Sequence, residues 1–356
     1  MGVGVASAFG LSDVLTPASF GAAPDRAIVC IYLVGGNDSN NMIVPLDSPA
    51  YDAYARGRGS LALPKDVLLP VQSLSANYGF HPSLAGLRDL YNRNALAVVA
   101  NVGRVAPDHL ILNDASDHTR EMQVGYLPDA YLAIPWAISG ATPPSALSLA
   151  HGVSLAAPGA DAQRHGSAVR TIAAASPERG LSATLLGRRL TTVLAALKTG
   201  AFRQPAFLVP FSGFETNRDQ LNAQVALFTE LNDALVAFYD GVGELGMAGS
   251  VTIYTDTEFN RTLTPNRFGG TDHAWGGHHL VAGLPTLGGQ IYGRFPSLVV
   301  GGPDDVAGNG SWTPTTTSAQ YAATLAYWHS RIDLSNMSRY AEPAGLTGSR
   351  PYFLQD

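Results

Sequence analysis

Continuous apolar runs alternate with stretches of helical periodicity along much of the chain. The β-branched run at 27–34 ends in Gly-Gly-Asn-Asp, and residues 96–102 form a second apolar run. Both runs are typical of strands buried in a parallel sheet. Apolar residues three and four positions apart predict a long helix at about 218–245. We also predict strands at 206–209, 250–255 and 297–300 and helices at 82–92, 183–198 and 318–328.

Alternating strands and helices predict an α/β fold with a mostly parallel central sheet and helices on both faces. We expect one domain over 26–356, with an irregular cap or insertion at 104–201, where Ala, Gly, Pro and Ser are frequent. Ligands of such sheets bind beyond the carboxyl ends of the strands. Asp38, Glu215 and Glu258 each follow a predicted strand, so we expect them to share a site.

The composition is that of a globular protein with a large core. The 356 residues are 46% hydrophobic and 14% charged, with a formal net charge of −6. The mild acidity and the lack of a long basic run argue against a nucleic-acid partner. No run is apolar enough to predict a transmembrane segment, and Cys30 is expected to be a buried structural thiol. Residues 1–25 are predicted to be a remnant of an export signal or a flexible tail.

Residues 269–281 hold three histidines, one aspartate, one tryptophan and four glycines. Glycine permits close approach of a ligand, and carboxylate and imidazole groups bind divalent metals. This loop-like stretch therefore predicts a binding site. The adjacent histidines cannot both face one centre if the segment is extended, because successive side chains alternate. The polar and aromatic candidates are Asp272, His273, Trp275, His278 and His279.

Each candidate also has an interpretation without catalysis. Asp38 suits a turn, and Glu215 suits the start of a helix, where the macrodipole favours an acid. The acids and arginine of 255–262 suit either a metal and anion site or a network of salt bridges. His118 with Asp117 is either a proton-transfer pair or part of an exposed loop, and His81 is either a substrate contact or a helix-entry residue.

Several short segments resemble, in this order, the exported bacterial proteins grouped as domain of unknown function family 1501. That family is placed in the alkaline phosphatase/sulfatase-like superfamily and usually carries a twin-arginine export signal. The resemblance therefore implies a periplasmic or secreted bacterial protein. The segments are 35–38 with Asn41 and Pro45, 79–84, 213–217 with Gln220, 258–262, 270–273 and 288–293.

The superfamily implies an α/β sandwich with a metal centre, often dinuclear, that cleaves phosphate or sulfate esters. By this resemblance, the metal ligands are Asp38, Glu258, Asp272 and His273, with Glu215 and His279 as additions. Asn217 stands where the family typically has a histidine. An amide is a weak zinc ligand but suits harder ions, so Zn, Ca, Mg, Mn and no metal all stay open.

The leading hypothesis is an exported metal-dependent hydrolase that acts on a phosphate or sulfate ester of a small molecule or saccharide. Arg261 would bind the anion, and His118 with Asp117 would transfer a proton. The expected substrate contacts are Asn41, His81, His278 and Trp275. The alternatives are a catalytically altered binding or surface-assembly protein and an isomerase or transferase on the same scaffold. A homo-oligomer also stays open.

Overall fold

The computed structural model describes residues 26–71, 77–103, 147–148, 153–156, 184–200, 204–330 and 354. We number the elements in chain order. The helices are α1 (Ser48–Arg58), α2 (Ala85–Asn92), α3 (Leu185–Lys198), α4 (Gln220–Glu244) and α5 (Ser318–Ser330). The strands are β1 (Ala27–Val34), β2 (Ile43–Pro45), β3 (Leu69–Pro70), β4 (Tyr78–Phe80), β5 (Leu96–Gly103), β6 (Leu147–Ser148), β7 (Ser154–Ala156), β8 (Ala206–Ser212), β9 (Val251–Asp256), β10 (Asn260–Arg261), β11 (His273–Ala274), β12 (Gly277–Ala282), β13 (Ile291–Tyr292) and β14 (Thr316–Thr317).

The central sheet has nine strands in the order β13-β5-β12-β9-β1-β8-β7-β6, and β14 also pairs with β5. The central strand β1 pairs in parallel with both β8 and β9. Only β7 and β12 run against the direction shared by the other strands of this sheet. The predicted mostly parallel α/β fold is therefore confirmed.

Helices cover both faces of the sheet, as predicted. Alternate residues of β1 point to opposite faces, so Val29 and Ile31 enter one core cluster and Cys30 enters the other. The first cluster contains side chains from α2, α3 and α4, and the second contains side chains from α5. Each fully buried aliphatic side chain in these clusters contributes about 1.5–3 kcal/mol. Cys30 is buried, and burial raises the pKa of its thiol well above the ordinary value.

The described parts of the predicted cap belong to the sheet and its core. Strand β7 pairs with β8, and β6 extends the same edge. Helix α3 buries Leu186, Leu190 and Val193 in the cluster that it shares with α4. This helix was expected from the sequence, whereas the two short strands were not.

Two predictions about local structure are wrong. Residues 297–300 form no strand: Leu298 has a φ of 56° and is buried, whereas Val299 and Val300 are exposed. The stretch 269–281 is also not a loop throughout, because its second half is β12, which lies between β9 and β5. A Cβ at Gly276 would lie 2.0 Å from Oδ1 of Asn101, so this glycine permits close packing beside the strand.

Within the part of the chain that the structure describes, none of the helices has the length and apolar character that crossing a membrane requires.

Candidate functional site

The carboxyl ends of β1, β8 and β9 lie side by side. The parallel register places Val34 beside Ser212 and Tyr32 beside Asp256, so the segments that follow these strands meet at one edge. The β10–β11 hairpin joins them, because the Thr271 amide donates to the Thr216 carbonyl. The loops that carry most of the predicted site are therefore brought together.

The carboxylate of Asp38 lies inside this edge and is fully buried. Its Oδ2 forms a salt bridge with the guanidinium of Arg58, which is also fully buried. The same oxygen accepts hydrogen bonds from Nε2 of Gln220 at 2.6 Å and Oγ1 of Thr271 at 3.3 Å. Oδ1 accepts from the Asn40 amide at 3.0 Å. Both oxygens of Asp38 are thus occupied by partners from the chain itself.

Asn41 belongs to the same buried network. Its Oδ1 accepts from the Tyr54 hydroxyl at 2.8 Å and from Nε of Arg58 at 2.9 Å. Its Nδ2 donates to the Leu61 carbonyl and to Oε1 of Gln224. The side chain has no exposed surface, so Asn41 is a structural residue and not the predicted substrate contact.

Arg261 joins the loops at this edge and does not face solvent. Its side chain is fully buried and donates at distances of 2.5 to 3.1 Å. The acceptors are the carbonyls of Gly35, Gly36, Phe214 and Thr271 and a carboxylate oxygen of Glu215. This arrangement does not support the predicted anion-binding role of Arg261, because the side chain is buried and its donors bind these oxygens.

Glu258 closes the turn that follows β1. Its Oε2 accepts from the amides of Gly35 at 3.0 Å and Gly36 at 3.2 Å. Both glycines have positive φ, and a Cβ at Gly36 would lie 2.0 Å from the Phe259 ring. This carboxylate oxygen, predicted to bind metal, instead holds the backbone of the double glycine.

Glu215 and His273 form the exposed pair of the site. Their side chains are 50% and 25% exposed, and His273 Nε2 lies 3.4 Å from Glu215 Oε1. The imidazole rests against the Phe259 ring, with 3.9 Å between ring centroids. An ionised carboxylate only accepts hydrogen bonds, so Nε2 carries the proton and Nδ1 is the basic nitrogen. No described residue hydrogen-bonds to this Nδ1.

The electrostatics of the pair favour an ionised Glu215 and a neutral His273. Partial burial acts to raise the pKa of Glu215, but the hydrogen bond and charge of Arg261, together with His273, lower it below its ordinary value. Burial and then the charge of Arg261 lower the pKa of His273, against the opposing effect of Glu215 and Asp272. Near neutral pH, the pair is therefore a carboxylate beside an uncharged imidazole.

His278 and His279 point to opposite faces of the sheet, as their adjacency predicted. Nδ1 of His278 accepts from the Asn101 amide at 3.0 Å, and its ring stacks on Phe295. His279 stacks on Tyr321 instead. Both are buried, and desolvation lowers the pKa of His278 to about 3 and that of His279 to about 4. The structure therefore places neither at the exposed edge, contrary to their predicted substrate and metal roles.

The remaining candidates lie apart from the exposed pair or outside the described residues. His81 is buried, and its Nδ1 accepts from the Ser83 amide at the start of the short helix Pro82–Leu84, so it is a helix-entry residue and not the predicted substrate contact. Half-buried Trp275 lies beside Gly103, and its contact with substrate stays a prediction. His118 and Asp117 lie outside the described residues.

The predicted metal ligands do not form one coordination site. In the described ranges, no three His, Cys, Asp or Glu side chains come together as a group that could hold a metal ion. Asp38 faces Arg58, and Glu258 faces backbone amides. Asp272 is exposed and accepts from Nδ2 of Asn266. The donor set therefore does not fit a divalent centre, since Arg58 already supplies the positive charge at Asp38.

The sequence analysis did not identify the helix residues that bind the buried side chains of Asp38 and Asn41. Arg58 ends α1, and nothing local distinguishes it from an exposed helix-terminal arginine. The spacing along the chain did indicate that Gln224 and Gln220 are buried. They lie four and eight residues before Phe228 and so continue the buried face of α4 towards its start. Val225 keeps the three- and four-residue spacing of the apolar positions of this helix but is 51% exposed.

Comparison with known proteins relates part of the chain to a described family. No curated protein matches the chain. Residues 157–306 match the family model described as "Protein of unknown function (DUF1501)". This range includes Glu215, Glu258, Asp272 and His273. The resemblance drawn from the short segments is confirmed by this family-model match over residues 157–306, which contains the segments from 213–217 onward.

Proposed function

We propose that this protein is an ester hydrolase in which Glu215 and His273 are the acid–base pair. The observation that carries the proposal is their exposed contact at the edge where β1, β8 and β9 end. Parallel sheets bind their ligands at such an edge. A carboxylate that orients a neutral imidazole is a recurring arrangement for proton transfer.

In this proposal, His273 acts as the general base. Its Nδ1 takes a proton from a water molecule that attacks the ester, while Nε2–H stays directed at Glu215. Glu215 fixes the tautomer and stabilises the imidazolium that forms. The same nitrogen then returns the proton to the leaving oxygen. Arg261 positions Glu215 through the contact at 2.8 Å and does not touch substrate.

The proposed substrates are phosphate or sulfate esters, the class implied by the resemblance to the superfamily. Two exposed arginines near the pair, Arg218 and Arg267, supply positive charge for such an anion. An exported location, periplasmic or secreted, is part of the same proposal. The chemistry is assigned to the side chains of the chain, because two of the predicted metal ligands, Asp38 and Glu258, are bound to Arg58 and to backbone amides.

Hydrolysis of aryl phosphate, aryl sulfate and aryl carboxylate esters by purified protein tests the proposal. We expect Glu215→Gln and His273→Gln to lower kcat/KM by about 100-fold or more, as for loss of a general base. Glu244→Gln, at the far end of α4, is a matched control and should retain wild-type activity. The absence of turnover for all three ester classes, or equal turnover by all four proteins, would refute the proposal.

A second candidate function is binding without catalysis, as in a surface-assembly protein. The observation that favours it is the buried Asp38–Arg58 pair, which takes up the first carboxylate that the resemblance assigns to a metal. The two candidates differ in the effect of His273→Gln. A binding protein would keep its ligand affinity and oligomeric state in this variant and would show no turnover in the wild type.

A further inference from the structure

A second feature of the same edge is an exposed aromatic ring that two arginine guanidinium groups approach. Phe268 is 55% exposed, the largest exposed fraction among the exposed large apolar side chains of the described residues. The guanidinium carbons of Arg218 and Arg267 lie 5.6 Å and 4.6 Å from its ring centroid. We call these three residues the Phe268 platform.

The loop that carries Phe268 is held in a fixed shape. Oδ1 of Asn266 accepts from the amides of Phe268 and Gly270, and its Nδ2 donates to the Asn217 carbonyl. The Gln220 amide, at the start of α4, donates to the Gly269 carbonyl. A Cβ at Gly270 would lie 2.1 Å from the Asn217 backbone, so only glycine permits this contact. The exposed ring is therefore presented by a rigid turn.

Among the residues that the structure describes, neither arginine of the platform has a carboxylate partner. Arg58, Arg88, Arg261 and Arg294 form salt bridges with described carboxylates, whereas Arg218 and Arg267 form none with a described residue. Nearby acids have other contacts: Asp219 accepts from Asn222, and Asp272 accepts from Asn266. Two unpaired guanidinium groups beside an exposed ring are suited to a ligand with both an anionic group and an apolar face.

The platform lies next to the Glu215–His273 pair. Asn266 connects the two, because its Nδ2 contacts both the Asn217 carbonyl and Oδ1 of Asp272, the residue before His273. Arg218 follows Glu215 by three residues in the segment that leads into α4. A ligand extending over a few sugar-sized units along this edge would therefore contact both features.

We propose that the Phe268 platform is a binding subsite for a sulfated saccharide. The apolar C–H face of a pyranose ring buries surface against the phenyl ring, and guanidinium groups bind sulfate oxygens in a bidentate manner. The formal net charge of −6 disfavours general attraction of polyanions, so binding depends on this local pair of arginines. The inference rests on the proposed function for its substrate class, and it assigns the saccharide part of that substrate.

Binding of low-mass dextran sulfate by the full chain, measured by calorimetry, tests the platform directly. Neutral dextran and polyglutamate are the comparison ligands, since the first lacks charge and the second lacks the sugar. We expect dextran sulfate to bind most tightly and its affinity to fall on addition of salt. Phe268→Ala should weaken binding about tenfold, and Arg218→Ala with Arg267→Ala should weaken it by more.

Matched controls separate the platform from general effects of charge and apolar surface. Arg93→Ala and Leu284→Ala remove an exposed arginine and an exposed leucine elsewhere and should bind as the wild type does. Equal affinity for polyglutamate, which would indicate an acidic polypeptide ligand, would overturn the proposal. So would wild-type affinity in Phe268→Ala, or equal losses in the control variants.

Glu215→Gln distinguishes failure of the subsite from failure of the proposed function. This variant keeps Phe268 and both arginines, so it should bind dextran sulfate at least as tightly as the wild type while its ester hydrolysis falls about 100-fold. Wild-type protein that binds dextran sulfate through Phe268 but hydrolyses no ester would refute the acid–base proposal alone. Protein that hydrolyses esters but does not bind dextran sulfate would refute the subsite alone.

Discussion

Arg58 and Asp38 form a salt bridge in which neither side chain has exposed surface. Removing one partner of a buried pair leaves the other charged without compensation, which typically costs about 3–5 kcal/mol. We therefore expect Asp38→Asn to lower the free energy of unfolding by that amount in urea denaturation. Asp89→Asn, in the exposed pair with Arg88, should cost less than about 1 kcal/mol. Equal small losses in both variants would contradict the buried-pair assignment.

Removal of divalent ions should leave the stability unchanged. Arg58 supplies the positive charge at Asp38, so that carboxylate needs no metal ion in the folded protein. We expect the same thermal midpoint with and without excess chelator. An ion at 100 times its dissociation constant would stabilise the fold by about 2.7 kcal/mol, which such a scan detects. A midpoint that falls with chelator and recovers on addition of one divalent ion would show the opposite.

How far the sequence predicted the fold depended on how each element is buried. Strand β1 was predicted at its observed bounds, because its run is apolar on both faces, follows Asp25 and Arg26, and ends at a double glycine. Strand β12 was missed because glycine and two histidines occupy positions that normally carry apolar residues. These histidines are tolerated inside through stacking on Phe295 and Tyr321, which only the tertiary structure shows.

The sequence predicted that three acids lie at one edge of the sheet but not which residues they bind there. The position of Glu215, Glu258 and Asp38 after strands correctly placed all three at one edge. Their roles depend on partners distant in sequence, such as Arg58 for Asp38 and the Gly35 amide for Glu258. Spacing along the chain carries no information on such pairings, so a charged residue that ties loops together resembles one that binds a ligand.

Buried neutral histidines should make the protein less stable in mild acid. Desolvation lowers the pKa of His81 to about 4 from 6.5, so the unfolded chain binds the proton more readily. The contribution of neutral His81 to the free energy of unfolding is therefore complete above pH 6.5. It falls by up to ~3 kcal/mol as the pH decreases towards 4. His81→Asn keeps an acceptor for the Ser83 amide but does not titrate.

The test of this linkage compares urea unfolding of the two proteins at several pH values. The stability advantage of the wild type over His81→Asn should shrink as the pH falls from 6.5 to 4. A constant difference in unfolding free energy over this range would mean that His81 has the same pKa in the folded and the unfolded chain. Because both proteins share all other ionisable groups, the difference isolates the one histidine.

The pH dependence of hydrolysis should report the state of His273. Activity requires its neutral form, and burial together with Arg261 lowers its pKa below 6.5. We therefore expect kcat/KM to be constant near neutral pH and to fall in acid with a midpoint below 6.5. Glu215 acts to raise the pKa of His273, so a residual-activity profile of Glu215→Gln should shift further towards acid.

NMR titration of the His273 ring tests the role of this histidine without turnover, because it follows protonation of the ring directly. The ring and the activity should titrate together, and both midpoints should move to lower pH in Glu215→Gln. Glu244→Gln removes a carboxylate at the far end of α4 and should leave both midpoints unchanged. A midpoint above 6.5, or a shift towards alkali in Glu215→Gln, would mean that the carboxylate and the imidazole do not interact as the structure indicates.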